Sequence, residues 1–201
     1  MKDITSATIP YSASLTGEPF LYFEMRETAA LILSGLSEEE VKEKIYKENL
    51  YQYKTKNRIR KRIAAIKKRL AFLDNYLLKL LSEGLSETGK IITLFTIYKT
   101  NRLFYEFMEE VVKEKFILRQ DYLEDMDISL FFQRKAEEDE TPAAWGESTV
   151  KKLKNVIKNI LFETDILRRD KTLERKMLHP DLKAHFMDKG ERQFLDCLEG
   201  L

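Results

Sequence analysis

The strongest constraint on the fold is a basic, periodic stretch at residues 54–73, KTKNRIRKRIAAIKKRLAFL. Its apolar residues recur at steps of four and three, including Ile59, Ile66 and Leu73, which predicts a helix with one buried stripe. The stretch contains no acidic residue, so its like charges repel across each turn, and a bound polyanion would relieve that repulsion. A nucleic-acid contact and a merely solvated face, whose lysine and arginine stems cover apolar neighbours, are both open at this point.

The distribution of charge is more informative than its total. The chain has 201 residues, with 35 Lys and Arg against 34 Asp and Glu, and a formal net charge of +1. Acidic residues concentrate between residues 104 and 147, which include the run EEDE at 137–140. A basic segment followed by an acidic one predicts a polarised surface with one side suited to phosphate.

The cysteine content and the apolar runs restrict the compartment. A single cysteine, Cys197, allows no intramolecular disulfide and fits a reducing, cytoplasmic environment. The N-terminal residues lack the apolar run of a signal peptide, and residues 91–98 are far short of the ~20 residues of a membrane-spanning helix. We therefore expect a soluble, cytoplasmic protein with no membrane partner.

Residues typical of catalysis or metal binding are not clustered. His179 and His185 have a spacing that suits neither one helical face nor a metal pair, and adjacent carboxylates do not face one another on a helix. The segment GLSETGKI at residues 84–91 nearly matches a phosphate-binding loop, but Ile91 stands where a hydroxyl belongs and no strand precedes it. We expect no enzymatic activity, no metal and no cofactor.

Capping signals divide the N-terminal part into helices. Pro19 is expected near the start of a first helix that Gly35 ends, and Ser37 with Glu40 forms a capping box that starts a second. The basic helix follows as the third. This order is compatible with a helix-turn-helix unit whose third helix reads DNA, although any three-helix bundle has the same order. Residues 87–118 are apolar on more than one side and predict two central core helices.

A second basic helix follows a polar break at residues 137–142. That break is the best candidate for a boundary between an N-terminal region, 1–136, and a C-terminal region, 137–201, packed together as one globular body. Ser148 is the expected N-cap of the helix, and Leu153 and Ile157 belong to its buried stripe. The opposite face carries lysine, asparagine and threonine, whose donors fit phosphates and base edges.

The surroundings of the second basic helix suggest a winged helix-turn-helix unit. A turn at Trp145 and Gly146 precedes the helix, a basic loop follows it, and residues 172–178 could extend as a short wing. Trp145 is interpreted as a core anchor beside the turn rather than as a base-stacking residue.

With both basic helices in view, the chain resembles the BrxA family of bacteriophage exclusion (BREX) defence systems. The resemblance spans nearly the whole length. It rests on YSASLTGEPFLYFEMRETAALILSGLSEEEVKEKIYKENLYQYKT, on RIRKRIAAIKKRLAFL and on WGESTVKKL with its basic exit. It implies a compact, multi-helix, all-α globular protein with two helix-turn-helix-like units that binds double-stranded DNA. It also implies other BREX components as partners, including the methyltransferase and the ATPase.

The candidate DNA-binding residues follow from helical spacing on the two basic helices and the loop after the second. They are Lys54, Lys56, Arg58, Arg60, Lys61, Arg62, Lys68, Thr149, Lys151, Lys152, Lys154, Asn155, Lys158, Arg168, Arg169 and Lys171. The resulting hypothesis is a non-catalytic, double-stranded-DNA-binding accessory protein of a phage-defence system.

Two alternatives stay open. The chain could be a protein–protein scaffold subunit of the defence complex with no direct nucleic-acid contact, in which the acidic residues 104–147 dock a basic partner. RNA binding is the other, because Tyr51 and Tyr53 could stack on unpaired bases beside the basic helix.

Overall fold

The computed structural model describes residues 8–200, and the prediction of an all-α fold is confirmed. Within these residues the only β-type pairings are two isolated antiparallel bridges, Tyr122 with Thr172 and Leu167 with Leu173. The helices are α1 Tyr22–Leu33, α2 Glu38–Glu48, α3 Lys56–Leu70, α4 Asn75–Glu83, α5 Ser86–Thr100, α6 Arg102–Phe107, α7 Glu114–Ile117, α8 Asp125–Glu138, α9 Glu140–Ala143, α10 Glu147–Glu163, α11 Pro180–Asp188 and α12 Arg192–Glu199. A π-helical segment, Met108–Lys113, joins α6 to α7.

The helices group into two packing units. The α1–α5 unit comprises Glu18–Thr100, and the α6–α12 unit comprises Asn101–Leu201, as far as it is described, with the described part of Met1–Gly17. The boundary expected between residues 136 and 137 lies inside the α6–α12 unit, because α8 continues to Glu138 and α9, which packs against it, begins two residues later. The separate regions 1–136 and 137–201 stay a prediction.

Helix α2 starts at the capping box predicted from the local sequence, whereas α1 starts later than predicted, beside a contact from a distant side chain. The predicted capping box is present, since Ser37 Oγ accepts from the Glu40 N–H and Glu40 Oε2 accepts from the Ser37 N–H at 2.8 Å. Helix α1 begins at Tyr22 rather than near Pro19. Leu21, directly before it, has a left-handed backbone (φ 58°), and the carbonyl of Pro19 accepts a hydrogen bond from Arg69 at 2.8 Å.

Helix α5 is the core of the α1–α5 unit and contacts α1, α3 and α4. Its residues Ile91–Tyr98 are all buried, as the all-round apolar pattern predicts. Gly89 has a packing role, because a Cβ atom at this position would lie 2.7 Å from the ring of Tyr22. This close approach accounts for one glycine of the segment that resembles a phosphate-binding loop.

The α6–α12 unit has an aromatic core and a buried polar network. Phe107 and Phe131 pack edge to face with ring centroids 5.2 Å apart. Glu106 accepts hydrogen bonds from Tyr11 at 2.6 Å and from Arg102 at 2.7 Å, and it lies 3.2 Å from the ammonium of Lys135. Burial alone would raise the pKa of Glu106, but these donors outweigh it and hold that pKa below its usual range.

Two features are absent from the described residues. None of the helices there combines the length and the hydrophobicity that crossing a membrane requires. Residues 8–200 also bring together no group of three or more His, Cys, Asp or Glu side chains that could hold a metal ion.

Candidate nucleic-acid interface

Helix α3 buries its apolar stripe and exposes most of its cations. Ile59, Ile66 and Leu70 are buried, which confirms the predicted stripe, and Thr55 caps the helix by accepting from the Arg58 N–H. The exposed cations of this helix and of the residues before it are Lys54, Lys56, Arg58, Arg60, Lys61, Lys67 and Lys68.

Few of these α3 cations have an acidic partner. Lys67 lies 2.6 Å from Glu38, and Lys68 donates to the carbonyl oxygen of Thr100 at 3.1 Å. Lys56 and Arg58 lie over aromatic rings, with the guanidinium carbon of Arg58 4.5 Å from the centroid of Tyr53. Within the described chain, the side chains of Lys54, Arg60 and Lys61 have neither an ion pair nor a hydrogen bond. This surface therefore presents several uncompensated positive charges to solvent.

Two arginines of α3 are buried, and one of them is a candidate DNA-binding residue. Arg62 is only 8% exposed, and its Nε and Nη1 atoms have no hydrogen-bond partner among the described residues. Only a small part of Arg62 therefore reaches the solvent-facing side of the helix. The burial of Arg62 could be predicted from the sequence, because Arg62 lies three residues after Ile59 and four before Ile66, on the apolar stripe itself.

Arg69, the other buried arginine, has a structural role. It is 2% exposed and donates to the carbonyl oxygens of Glu18 at 2.6 Å, Pro19 at 2.8 Å and Phe20 at 2.9 Å. Burial lowers its pKa to about 10. The guanidinium therefore stays protonated near neutral pH and fixes the segment that leads into α1.

Helix α10 shows the same division into a buried stripe and a polar face, but its lysines differ in exposure. Leu153, Ile157, Ile160 and Leu161 are buried, as predicted. Lys151, Lys152 and Asn155 are exposed, whereas Thr149, Lys154 and Lys158 are partly buried. The helix begins at Glu147 after Gly146, so Ser148 is not its N-cap.

The partly buried lysines of α10 contact α8. Lys158 lies 2.9 Å from Asp125, and Lys171, beyond α10, lies 3.6 Å from the same carboxylate. The hydrogen bond from Lys158 is the main cause that lowers the pKa of Asp125. Lys154 donates to Ser129 Oγ at 3.0 Å. As far as the chain is described, the α10 lysines without an ion pair or a side-chain hydrogen bond are therefore Lys151 and Lys152.

A tight hairpin follows α10 and presents the other predicted donors. The Arg168 N–H donates to the Thr172 carbonyl oxygen at 2.8 Å, and the Lys171 N–H donates to the Arg168 carbonyl oxygen at 3.0 Å. Arg168, Arg169 and Lys171 are all exposed at this turn, and Arg168 pairs with Glu174 at 2.5 Å. The hairpin occupies the chain position expected of a wing, although only residues 172 and 173 of the expected stretch 172–178 form bridges.

The aromatic residues proposed for RNA stacking are not both available. Tyr51 is 4% exposed, and its hydroxyl lies 2.7 Å from that of Thr28. Tyr53 is partly exposed, but Arg58 covers its ring and its hydroxyl hydrogen-bonds to Glu24. A pair of stacking tyrosines beside α3 is therefore not formed.

The family is decided by comparison with known proteins. A family model described as BrxA matches residues 9–190. The chain belongs to the BrxA family. A relative named BREX protein BrxA from Bacillus cereus (strain H3081.97) is 38% identical, with 94% of this chain and 96% of the relative aligned. BREX protein BrxA from Escherichia coli O9:H4 (strain HS) is 24% identical over 92% of this chain and 88% of its own.

A solved structure shares the fold of this BrxA-family chain. It is the crystal structure of an uncharacterised protein from Magnetospirillum magneticum, with a TM-score of 0.79 and 19% sequence identity. The match covers 95% of this chain and 99% of the other. At this identity the likeness concerns the arrangement of helices alone.

Proposed function

We propose that this BrxA-family chain is a non-catalytic, double-stranded-DNA-binding subunit of a BREX phage-defence system. Family membership places it among BREX proteins and so in phage defence. The observation that carries the DNA-binding step is the group of exposed cations on α3 and just before it, of which Lys54, Arg60 and Lys61 have no acidic partner in the described chain.

Uncompensated charge on α3 favours a polyanion for a physical reason. Cations one helical turn apart repel each other, and phosphates that replace their counterions remove the repulsion and release those counterions. A single exposed helix face also has the shape that fits the major groove of a duplex. If about five phosphates are neutralised, log K falls with log salt at a slope of roughly −4 to −5.

The polar face of α10 and the hairpin form a second candidate surface. Lys151, Lys152 and Arg169 are exposed cations there, and Asn155 carries an amide suited to adenine. Arginine and lysine would position the duplex through phosphates, while Asn155 and Thr149 are the candidates for reading bases.

The test is a salt series on the full chain with a fluorescently labelled duplex, read by anisotropy. The variant Arg60→Glu/Lys61→Glu reverses two free charges of α3. The control Lys44→Glu/Lys79→Glu reverses two exposed lysines of α2 and α4 and changes the net charge equally. We expect salt-sensitive binding in the wild type and in the control, and a large loss in the α3 variant. Affinity that is independent of salt, or equal losses in both variants, would contradict the proposal.

A second candidate function, a protein–protein scaffold, is favoured by a groove in the α6–α12 unit. The groove has a volume of about 350 Å³ and lies between the π-helical segment, α7 and α8. Leu118 and Leu130 line it with 63% and 50% of their surface exposed, and Glu114 and Glu137 are among the carboxylates that line it beside Lys115 and Arg134. Exposed leucines among carboxylates suit a basic amphipathic helix. Segments of π-helix are also frequent at functional sites.

The variant Leu118→Arg/Leu130→Arg separates the two functions. Its co-purification with co-expressed BREX methyltransferase and ATPase is compared with that of Arg60→Glu/Lys61→Glu. The scaffold function predicts that assembly is lost in the groove variant while duplex affinity is unchanged. Normal assembly of the groove variant would remove the support for the scaffold.

A further inference from the structure

A shallow groove runs along α10 beside the only tryptophan of the chain. Its volume is about 390 Å³. The side chains that give it its chemistry are Trp145, Lys151, Lys154, Asn155 and Lys158. The α10 members are spaced by three and four residues, so they share one side of the helix. The groove therefore has the indole on one side and lysines on the other, of which Lys158 is paired with Asp125, and Glu147 lines it as well.

Trp145, which the sequence predicts as a core anchor beside the turn, is buried only in part. It lies between α9 and α10, is partly exposed, and is held by its backbone N–H, which donates to the Pro142 carbonyl oxygen at 3.2 Å. Among the described residues no hydrogen-bond partner of its indole N–H is found. A half-buried indole next to lysines is a suitable surface for a flat, polar ring.

We infer that this groove takes an unpaired DNA base, stacked on Trp145, with the adjoining phosphate near Lys151. The inference rests on the proposed DNA-binding function and specifies the DNA that the α10 surface prefers. A nucleotide combines a π-face with a negative charge, and these match the indole and the lysines. Asn155 and Glu147 also border the groove and supply donors and acceptors for a base edge.

The base has to be unpaired because of duplex geometry. Inside a duplex each base face is covered by its neighbours, so a side chain reaches only the edges. Trp145 can stack only on a base at a single-stranded end, in a gap, or turned out of the helix. In the alternative, Asn155 hydrogen-bonds to a base edge in the major groove of an intact duplex. That contact needs no tryptophan and gives no preference for an unpaired base.

The test distinguishes binding of the bases from binding of the phosphates. One duplex carries a three-nucleotide single-stranded end, and a second carries the same end with abasic sites, which keep the charge and remove the bases. Binding to the full chain is measured by anisotropy of the labelled DNA and by emission of Trp145. We expect the base-bearing end to bind about tenfold more tightly than the abasic end and to quench the emission. A blunt duplex should leave the emission near its free value.

Three variants assign the preference to the indole. Trp145→Ala should bind both ends equally, and Trp145→Phe should keep part of the preference because a smaller ring still stacks. Phe162→Ala is the matched control, since Phe162 is an exposed aromatic on α10 that does not line the groove. It should keep the full preference. Thermal melting of each variant verifies folding.

Binding and emission measurements on the wild-type protein alone can overturn the inference. Equal affinity for the two ends, or quenching by the abasic end, would exclude a base in the groove while the proposed duplex binding stands. No binding to any of the DNAs at low salt would overturn the proposed function as well. A ribonucleotide end bound more tightly than the deoxyribonucleotide end would exclude DNA as the preferred ligand.

Discussion

Helices α3 and α10 share a pattern of apolar and basic residues but lie in different surroundings. Both place an apolar stripe in a core and a row of cations on the other side. On α3 the cations lie beside aromatic rings or in solvent, with Lys67–Glu38 as an ion pair. On α10, Lys158 contacts the carboxylate of Asp125, and Lys154 contacts Ser129. The neighbouring element, rather than the helix itself, therefore decides how much positive charge is available to a ligand.

The two helices also differ in what their cations do inside the protein. Helix α3 buries Arg62 and Arg69 on its apolar stripe, while the buried stripe of α10 is made of Leu and Ile. Arg69 binds three carbonyl oxygens of the chain that precedes α1. A basic helix can therefore contain structural and ligand-facing cations in the same few turns.

The largest expected effect is on stability, and it separates these two kinds of cation on α3. Arg69→Met leaves three carbonyl oxygens without their donor, which should lower the free energy of unfolding by about 3 kcal/mol. Lys61→Met removes an exposed charge and should change it by less than about 0.5 kcal/mol. Chemical denaturation of both variants measures the difference. Equal midpoints would show that Arg69 is not structural.

The next largest effect compares the two helices as DNA-binding surfaces. Reversal of two free charges on α3, Arg60→Glu/Lys61→Glu, should weaken duplex binding about 100-fold at low salt, because each lost phosphate contact also loses its released counterions. The matching change on α10, Lys151→Glu/Lys152→Glu, should weaken it about tenfold, since Asp125 and Glu147 already lower the positive potential there. Anisotropy titrations measure both affinities, and a larger loss for the α10 pair would reverse the comparison.

A smaller effect comes from removing the acid that neutralises the α10 surface. Asp125→Asn releases both Lys158 and Lys171, so duplex affinity at low salt should rise about threefold. The corresponding change beside α3 is Glu38→Gln on α2. It releases only Lys67, because Lys42 still has Glu39 at 2.8 Å, so the gain in affinity should be below about twofold. Unchanged affinity in the Asp125 variant would mean that Lys158 and Lys171 do not contact DNA.

Local signals were sufficient to predict much of this fold. The capping box at Ser37 and the stripe of α3 depend on residues within one or two turns, and both are present. The burial of Arg62 was also predictable, since it lies on that stripe. The start of α1 was not predictable from local signals, because the Pro19 carbonyl oxygen accepts a hydrogen bond from Arg69, which is 50 residues away.

The candidate interface was less predictable than the helices that carry it. Helical spacing places Lys158 on the polar face of α10, but its pairing with Asp125, 33 residues earlier, depends on how α8 packs. The partial exposure of Trp145 likewise depends on the packing of the turn before α10. Spacing identifies the side chains that can reach solvent, and only the tertiary arrangement shows which of them remain free.

The smallest expected effect concerns Glu38, the acidic partner of Lys67 on the α3 surface, and is read through pH. Hydrogen bonds from Lys42 and Lys67 lower the pKa of Glu38 from 4.5 to about 2. A carboxylate whose pKa is lower in the folded state stabilises the fold above its unfolded value and loses that contribution as the pH falls through the folded one. The melting temperature of the wild type should therefore exceed that of Glu38→Gln by a small margin at pH 6, and the two should converge between pH 4.5 and about 2. Glu48→Gln, an exposed position on the same helix without an ion pair in the described chain, is the control. If the difference in melting temperature persists at pH 2, Glu38 acts through packing rather than through its charge. Its carboxylate would then not offset the positive charge of Lys67 on the α3 surface.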